Sequence, residues 1–350
     1  MKNQTSKEFM INDEIKCMEG YAVIKGYYLV VGGGKVGTDF LRYARKNKFP
    51  FVLVIDRDKN APASRETKVL KTENELANLL RNRASLAHSE DKPEISGVEK
   101  NKQKNEWKNE RESKEKNDDT ETYFYKMDMY GIPSLFSYGI PEYIIPAVPC
   151  HAVAYMLADF LKFFNREPGT NKVQEEKSPV KELFIRPEDS LLRSFFEDIA
   201  AAISEDVITG RYPEQGMLFF SYAREGETCP DSCPGPRGHC PTFGRKKPET
   251  ITEYTAKLAG KLPGWIFESH QMKPGIGGLK GEELKQNLLE IRAFVKRIKR
   301  IQEISNGNKG KDKSKTEYDS GNEAKEIKER AFFIATTCTC HGVLNLFYVT

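Results

Sequence analysis

Apolar residues in this chain fall into short continuous runs separated by stretches of helical spacing. That is the pattern of strands buried on both faces between helices. Tyr27–Val31 is one such run, and Phe51–Asp56, apolar up to its final acid, is a second. Between them, residues 36–47 place Phe40, Leu41 and Ala44 on one helical stripe. Residues 73–83 predict another helix, with Leu76, Leu79 and Leu80 together. Strands are predicted over 122–128 and 143–149, the latter followed by a helix over 151–164. A second series follows. It has a short strand over 183–186 and a helix from Pro187 to about Ser204 aligned on Leu191, Phe195 and Ile199. A strand over 216–223, a helix over 249–260 and a strand over 265–269 come next. The helix expected over 281–304 aligns Leu284, Leu288, Ile291, Val295 and Ile298, and carries Arg292, Lys296, Arg297, Lys299 and Arg300 on a face expected to be solvated. Strands over 331–336 and 343–348 close the chain.

Strongly polar stretches divide this pattern. Residues 1–26 form a lead-in, 88–120 and 305–329 read as disordered charged insertions, and 166–181 reads as a linker containing Pro168, Gly169, Ser178 and Pro179. The expected organisation is therefore two α/β domains, at 27–165 and 182–350. The insertions account for an apolar content of only 38% and a charged content of 30%. The formal net charge of +4 makes no case for nucleic-acid binding. No apolar run approaches the length of a membrane span, and residues 1–16 lack the core of a signal peptide. These features predict a soluble cytoplasmic protein, in which the seven cysteines are expected to be reduced.

Between the first two strands lies Gly32-Gly33-Gly34-Lys35-Val36-Gly37, a glycine turn in the strand–turn–helix context that a dinucleotide site requires. Gly32 permits the tight turn, Gly34 lets a pyrophosphate approach the backbone, and Gly37 lets the helix pack closely on the strand. Lys35 and Val36 open the helix whose N–H groups would face the phosphates. Asp56, 19 residues after Gly37, is placed to accept from a ribose diol. The first domain is accordingly expected to be a Rossmann-like parallel sheet binding NAD. Arg57, next in the chain, could instead hold the 2′-phosphate of NADP.

The second concentration of chemistry is Cys229-Pro230-Asp231-Ser232-Cys233, followed by Cys240-Pro241. Three cysteines each precede a proline, in a loop with little apolar side chain to fold on. Thiols so placed are explained by metal binding. The spacing supplies three ligands, and Cys338 and Cys340, with His341, are the candidate donors that complete the set. If the strands over 216–223 and 331–336 are parallel neighbours, both segments emerge at one sheet edge. All-thiolate ligation suits zinc or a 4Fe–4S cluster. A further glycine-rich segment, residues 268–278, is expected to be a loop at a helix N-terminus. There backbone amides would form an anion-binding nest, Lys273 would add charge, and His270 or Ser269 would serve as acid, base or polar contact. Cys150 and His151 follow a strand at the start of a helix in the first domain, on the crevice side of a Rossmann layout. His151 is a candidate contact for the cofactor or substrate or, equally, a capping or packing residue, and Cys150, like Cys17, reads as structural.

Val31 to Gly37, with Val54-Ile55-Asp56-Arg57-Asp58, resembles the NAD-binding N-terminal domain of regulators of potassium conductance and uptake. Val30 to Val36 also resembles the opening of the NAD-dependent dehydrogenase of sirohaem synthesis. Both resemblances imply a Rossmann fold with Gly32, Gly34, Gly37 and Asp56 as cofactor contacts. The cysteine loop is similar to that of uncharacterised microbial proteins pairing a Rossmann domain with a Cys-Pro-rich domain. Two functional classes follow. One is an NAD(P)-dependent oxidoreductase acting on a small molecule or a redox partner protein, with a homodimer compatible with either class. The other is a regulatory subunit that responds to NAD or redox state without catalysis.

Overall fold

A computed structural model describes residues 20–90, 120–163, 178–230, 233–309 and 320–350. Most of the lead-in, including Cys17, most of the insertion expected at 88–120, the greater part of the linker and residues 310–319 lie outside them.

The first half is a parallel sheet built around β1 (Val23–Val31). β2 (Phe51–Asp56) lies on one side, with Tyr27 opposite Phe51 and Val31 opposite Ile55. β5 (Ile140–Pro146) lies on the other, also parallel. β4 (Glu121–Lys126) and the short β3 (Lys68–Leu70) extend the sheet beyond β2. Alternation of side chains across the pleat sorts the apolar runs onto two faces. Val30, Val52, Val54 and Ile145 pack against Phe40, Leu41 and Ala44 of α1 (Lys35–Lys46). Leu29, Leu53 and Ile55 face the opposite way. There they meet Leu76 and Leu80 of α2 (Glu73–Glu90), Leu135 of the short α3 (Ile132–Leu135), and Met156 and Phe160 of α4 (Ala152–Phe163). A sheet covered on both faces needs apolar residues at nearly every position, which explains the unbroken runs.

The sheet continues directly into the second half. β11 (Gly264–Lys273) and β12 (Ile276–Lys280) form a hairpin, and β12 pairs antiparallel with β5, Leu279 opposite Ile144. β11 lies parallel to β13 (Ala331–Thr337), which turns back as β14 (His341–Val349). β8 (Met217–Ser221) and then β7 (Ile208–Tyr212) finish the order, while β6 (Val180–Glu182) pairs with the far end of β14. The outcome is one mixed α/β structure on a twelve-stranded sheet. The segment expected as an interdomain linker does not divide that sheet.

The remaining helices cover this half. α5 (Ser190–Ala200) buries Leu192, Phe195, Phe196 and Ile199, and α6 (Ile251–Leu258) opens with a capping box between Thr250 and Glu253. α7 (Gly281–Lys309) and α8 (Ser320–Arg330) enter the segment expected to be disordered from either end.

Four local expectations change. Leu191 is exposed, and Leu192 takes its expected place on the buried face of α5. The segment 268–278 is not a loop before a helix. β11 runs through Lys273, the chain reverses at Pro274 and Gly275, and Gly275 takes the positive φ of 79° that the turn uses. The short strand begins at Val180, three residues early, although Leu183 still donates to the Leu346 carbonyl at 2.9 Å. Arg292 is buried at 4% exposure instead of solvated, because the buried stripe of α7 is wide enough to include the neighbour of Ile291. Among the described residues, no helix is long and apolar enough to cross a membrane.

Candidate functional site

Two cavities collect the residues with chemistry. The first, about 650 Å³, opens at the C-terminal ends of β1, β2 and β5. Gly32 sits at its floor with φ 106°, and a Cβ there would stand 2.5 Å from the Ala147 carbonyl oxygen. A Cβ on Gly37 would stand 1.9 Å from the Gly32 carbonyl oxygen, so strand and helix approach only because both positions are glycine. Gly34 differs: nothing lies within 4 Å of where its Cβ would be, and it lines the cavity. The void beside Gly34 is a cradle that a phosphate would fill. Gly34 caps α1 with no side-chain hydrogen bond, and the first turn of the helix carries no acid. First-turn N–H groups have no intrahelical acceptor, so this end of α1 offers donors and a partial positive charge. The residues present fit a dinucleotide.

Asp56 ends β2 beside this cavity, followed by Arg57 and Asp58. Its Oδ2 accepts from the Gly33 N–H at 2.7 Å and its Oδ1 from the Asp58 N–H at 2.8 Å. The carboxylate thus shapes the turn and retains lone pairs for a ligand hydroxyl. Lys35 and Val36 form the first turn of α1, with Val36 46% exposed. Tyr130, Cys150 and Tyr155 line the far side of the cavity.

The second cavity, about 260 Å³, lies where β8 and β13 end. These strands are not the neighbours expected, because β14 pairs antiparallel with each and lies between them; they still run parallel, so the loop after β8 and the turn after β13 emerge at one edge. Cys229 and Cys233 border it from the loop, Cys338 and Cys340 from the turn, and Ser269 and Gln271 from β11. The turn is set by Cys338 N–H donating to the His341 carbonyl at 2.8 Å, while the N–H groups of Cys340 and His341 point at Cys338 Sγ, at 3.5 and 3.4 Å. His341 stands between two thiols, its Nε2 3.2 Å from Cys229 Sγ and its Nδ1 3.9 Å from Cys338 Sγ. Gln271 Nε2 donates to the Cys233 carbonyl at 3.2 Å and ties the loop to β11. Cys240 lies in a two-stranded ribbon of β9 (His239–Cys240) and β10 (Arg245–Lys246), buried and outside the lining.

Burial, followed by the surrounding Cys233, Cys240, Cys340 and Cys338, raises the Cys229 thiol. Burial also raises Cys338, opposed by the two N–H groups aimed at it and by the charge of Lys247. His341 is lowered by burial and by Lys247. Lys247 is itself buried, and its Nζ donates to Cys340 Sγ at 3.0 Å. Four thiols and an imidazole line the cavity, with no carboxylate among the described residues, which suits a thiophilic ion in kind. In arrangement, no three His, Cys, Asp or Glu side chains among the described residues are grouped to hold a metal ion.

His270 lines neither cavity. It projects from β11, and its Nε2 lies 2.8 Å from Glu283 Oε2 at the start of α7. Lys273 pairs with Asp39 of α1 and sits over the Tyr43 ring. His151 is buried between the halves, with Nδ1 2.7 Å from Asn345 Oδ1 and Nε2 2.9 Å from Thr336 Oγ1. It directly follows Cys150 of the first cavity, and Thr336 lies two residues before Cys338 of the second. Lys247, Asn345 and Thr336 carried no signal in the sequence. Lys246-Lys247 reads as a surface pair, and the other two sit in ordinary strand positions.

The family described as "Uncharacterized protein, C-terminal domain" matches residues 181–350, a span that holds the entire second cavity. A protein of Archaeoglobus fulgidus, described as an uncharacterized protein, is 23% identical over 317 residues, covering 91% of this chain and 97% of the relative. No solved structure matches.

Proposed function

We propose that this chain is a cytoplasmic NAD-binding redox enzyme whose second half carries a cysteine-held centre, either zinc or a 4Fe–4S cluster. The observation that carries the first part is the contrast among three glycines. Gly32 and Gly37 are pinned by backbone, whereas Gly34 faces open space at an uncapped helix N-terminus. Asp56 beside that space would accept from ribose hydroxyls, and the absence of an acid in the first turn of α1 leaves room for a pyrophosphate charge. Bound there, a nicotinamide would supply hydride transfer. Arg57 sets the alternative cofactor, NADP. Calorimetric titration of the full chain with NAD and NADP tests this. Preference for NAD, and its loss in Asp56→Ala, is expected; no binding of either dinucleotide would remove the proposal.

A second reading is a regulatory subunit of the type that the potassium-uptake resemblance implies. His151 favours it, since one buried imidazole joins the segments that border both cavities. NADH oxidation with added acceptors separates the readings. Turnover supports the enzyme, whereas NAD-dependent capture of a partner without turnover supports the regulator.

A further inference from the structure

Lys247 is 3% exposed, and its ammonium has one hydrogen-bond partner among the described residues, Cys340 Sγ at 3.0 Å. The Tyr222 ring lies 5.9 Å away and attracts the cation without neutralising it. No carboxylate pairs with Lys247 among the described residues, unlike Arg245 nearby, which is paired with Glu227. A buried ammonium is costly unless a negative charge faces it. Among the described residues, the group beside it that can carry that charge is the Cys340 sulfur. Cys229, Cys233, Cys338 and Cys340 border the cavity, and Cys240 does not.

We infer that the second cavity holds a thiophilic centre on Cys229, Cys233, Cys338 and Cys340 as a complex of net negative charge, with Lys247 as its buried counter-charge and Cys240 outside the ligand set. This rests on the cysteine-held centre proposed above and goes beyond it in naming four ligands and the balancing cation. A divalent ion taking four thiols displaces four protons, leaving a dianion, and a 4Fe–4S cluster in its 2+ state on four thiolates carries the same charge. The ammonium next to Cys340 offsets one of those two charges and donates to a ligating sulfur, as outer groups at metal sites do.

The test uses the full chain purified without oxygen, assayed for metal content and visible absorbance, then stripped and titrated with Zn²⁺ alone and with Cd²⁺ alone. Zinc without colour identifies the mononuclear form, and iron with a reducible visible band identifies the cluster. Cys→Ser at 229, 233, 338 or 340 is expected to weaken Zn²⁺ binding at least a hundredfold, and C240S less than threefold. Lys247→Met is expected to weaken binding about tenfold at unchanged stoichiometry, with Lys247→Arg close to wild type. If Lys247→Met does not fold, Lys247→Gln is read in the same way. Equal loss in C240S, dispensability of any of the four, or an unchanged Lys247→Met overturns this inference while the proposed centre stands. Wild-type chain that carries no metal and takes neither ion overturns both.

Discussion

The Gly33 N–H donates to Asp56 Oδ2 at 2.7 Å, so the acid that ends β2 also clasps the glycine turn leaving β1. A second N–H, from Asp58, reaches the other oxygen at 2.8 Å. Hydrogen bonds to a charged acceptor contribute about 1.5–3 kcal/mol each when shielded, and less where the partner is exposed. Asp56→Ala is expected to cost about 2 kcal/mol, read as a lower urea midpoint, and to abolish dinucleotide binding. Asp56→Asn, which keeps one acceptor oxygen, should lose less stability. Equal stability of Asp56→Ala and wild type would mean that the clasp is unimportant.

Gly34 and Gly37, three residues apart, should respond oppositely to the same added methyl. A Cβ on Gly37 meets the Gly32 carbonyl oxygen at 1.9 Å, a backbone atom that cannot swing away. Gly37→Ala is expected to destabilise by about 3 kcal/mol or to prevent folding, within the range of severe overpacking. Gly34→Ala meets nothing within 4 Å, and Gly34 has φ −73°, which any residue adopts. Its thermal midpoint should match wild type while its affinity for NAD falls at least tenfold. Retained affinity would place the phosphates elsewhere.

His151 should make the protein acid-sensitive. Burial lowers its pKa from the ordinary 6.5 to about 4, against the Asn345 bond, which favours protonation. Between these values the unfolded chain binds a proton that the folded chain refuses, so stability rises with pH across this window. The contribution is fully present above pH 6.5 and is lost as pH falls towards 4, about 3 kcal/mol at 1.36 kcal/mol per unit. His151→Gln can still bond to Asn345 and Thr336 but has nothing to titrate. Urea midpoints at pH 4.5 and 7 should differ less in this variant than in wild type, and identical differences would exclude the imidazole as the cause.

What the sequence reveals depends on how local each signal is. The bounds of β2, the stripe of α1 and the glycine turn are written in consecutive residues, because a strand buried on both faces and a tight turn each need particular residues in place. The meeting of the 229–240 loop with the Cys338 turn also follows from strand direction, since β8 and β13 both point towards that edge. The union of the halves is not legible. The β12–β5 pairing rests on Leu279 opposite Ile144, residues far apart in sequence and ordinary in each. The β11–β12 hairpin is disguised by its glycines, which look like a loop until Pro274-Gly275 is seen as the turn. Lys247 looks like one of a surface pair because its burial comes from sulfur-bearing segments on either side of it. Arg292 is assigned to solvent by its charge, although its place on α7 is inside.

Phe332 tests whether the continuous sheet makes one cooperative unit. It stacks 5.7 Å from Phe347, meets Trp265 edge-on at 5.7 Å, and belongs to the same buried cluster as Leu29 of β1. A cluster shared by both halves cannot be broken in one without exposing apolar surface in the other. Phe332→Ala is expected to cost about 3–5 kcal/mol, the range for emptying a buried aromatic site. If the halves unfold together, amide protection in β1 and in β13 should vanish at the same urea concentration, in wild type and, lower, in the variant. Protection of β1 that outlasts β13 in Phe332→Ala would show instead that the first half holds its own core, and that the β12–β5 seam joins two independently stable units.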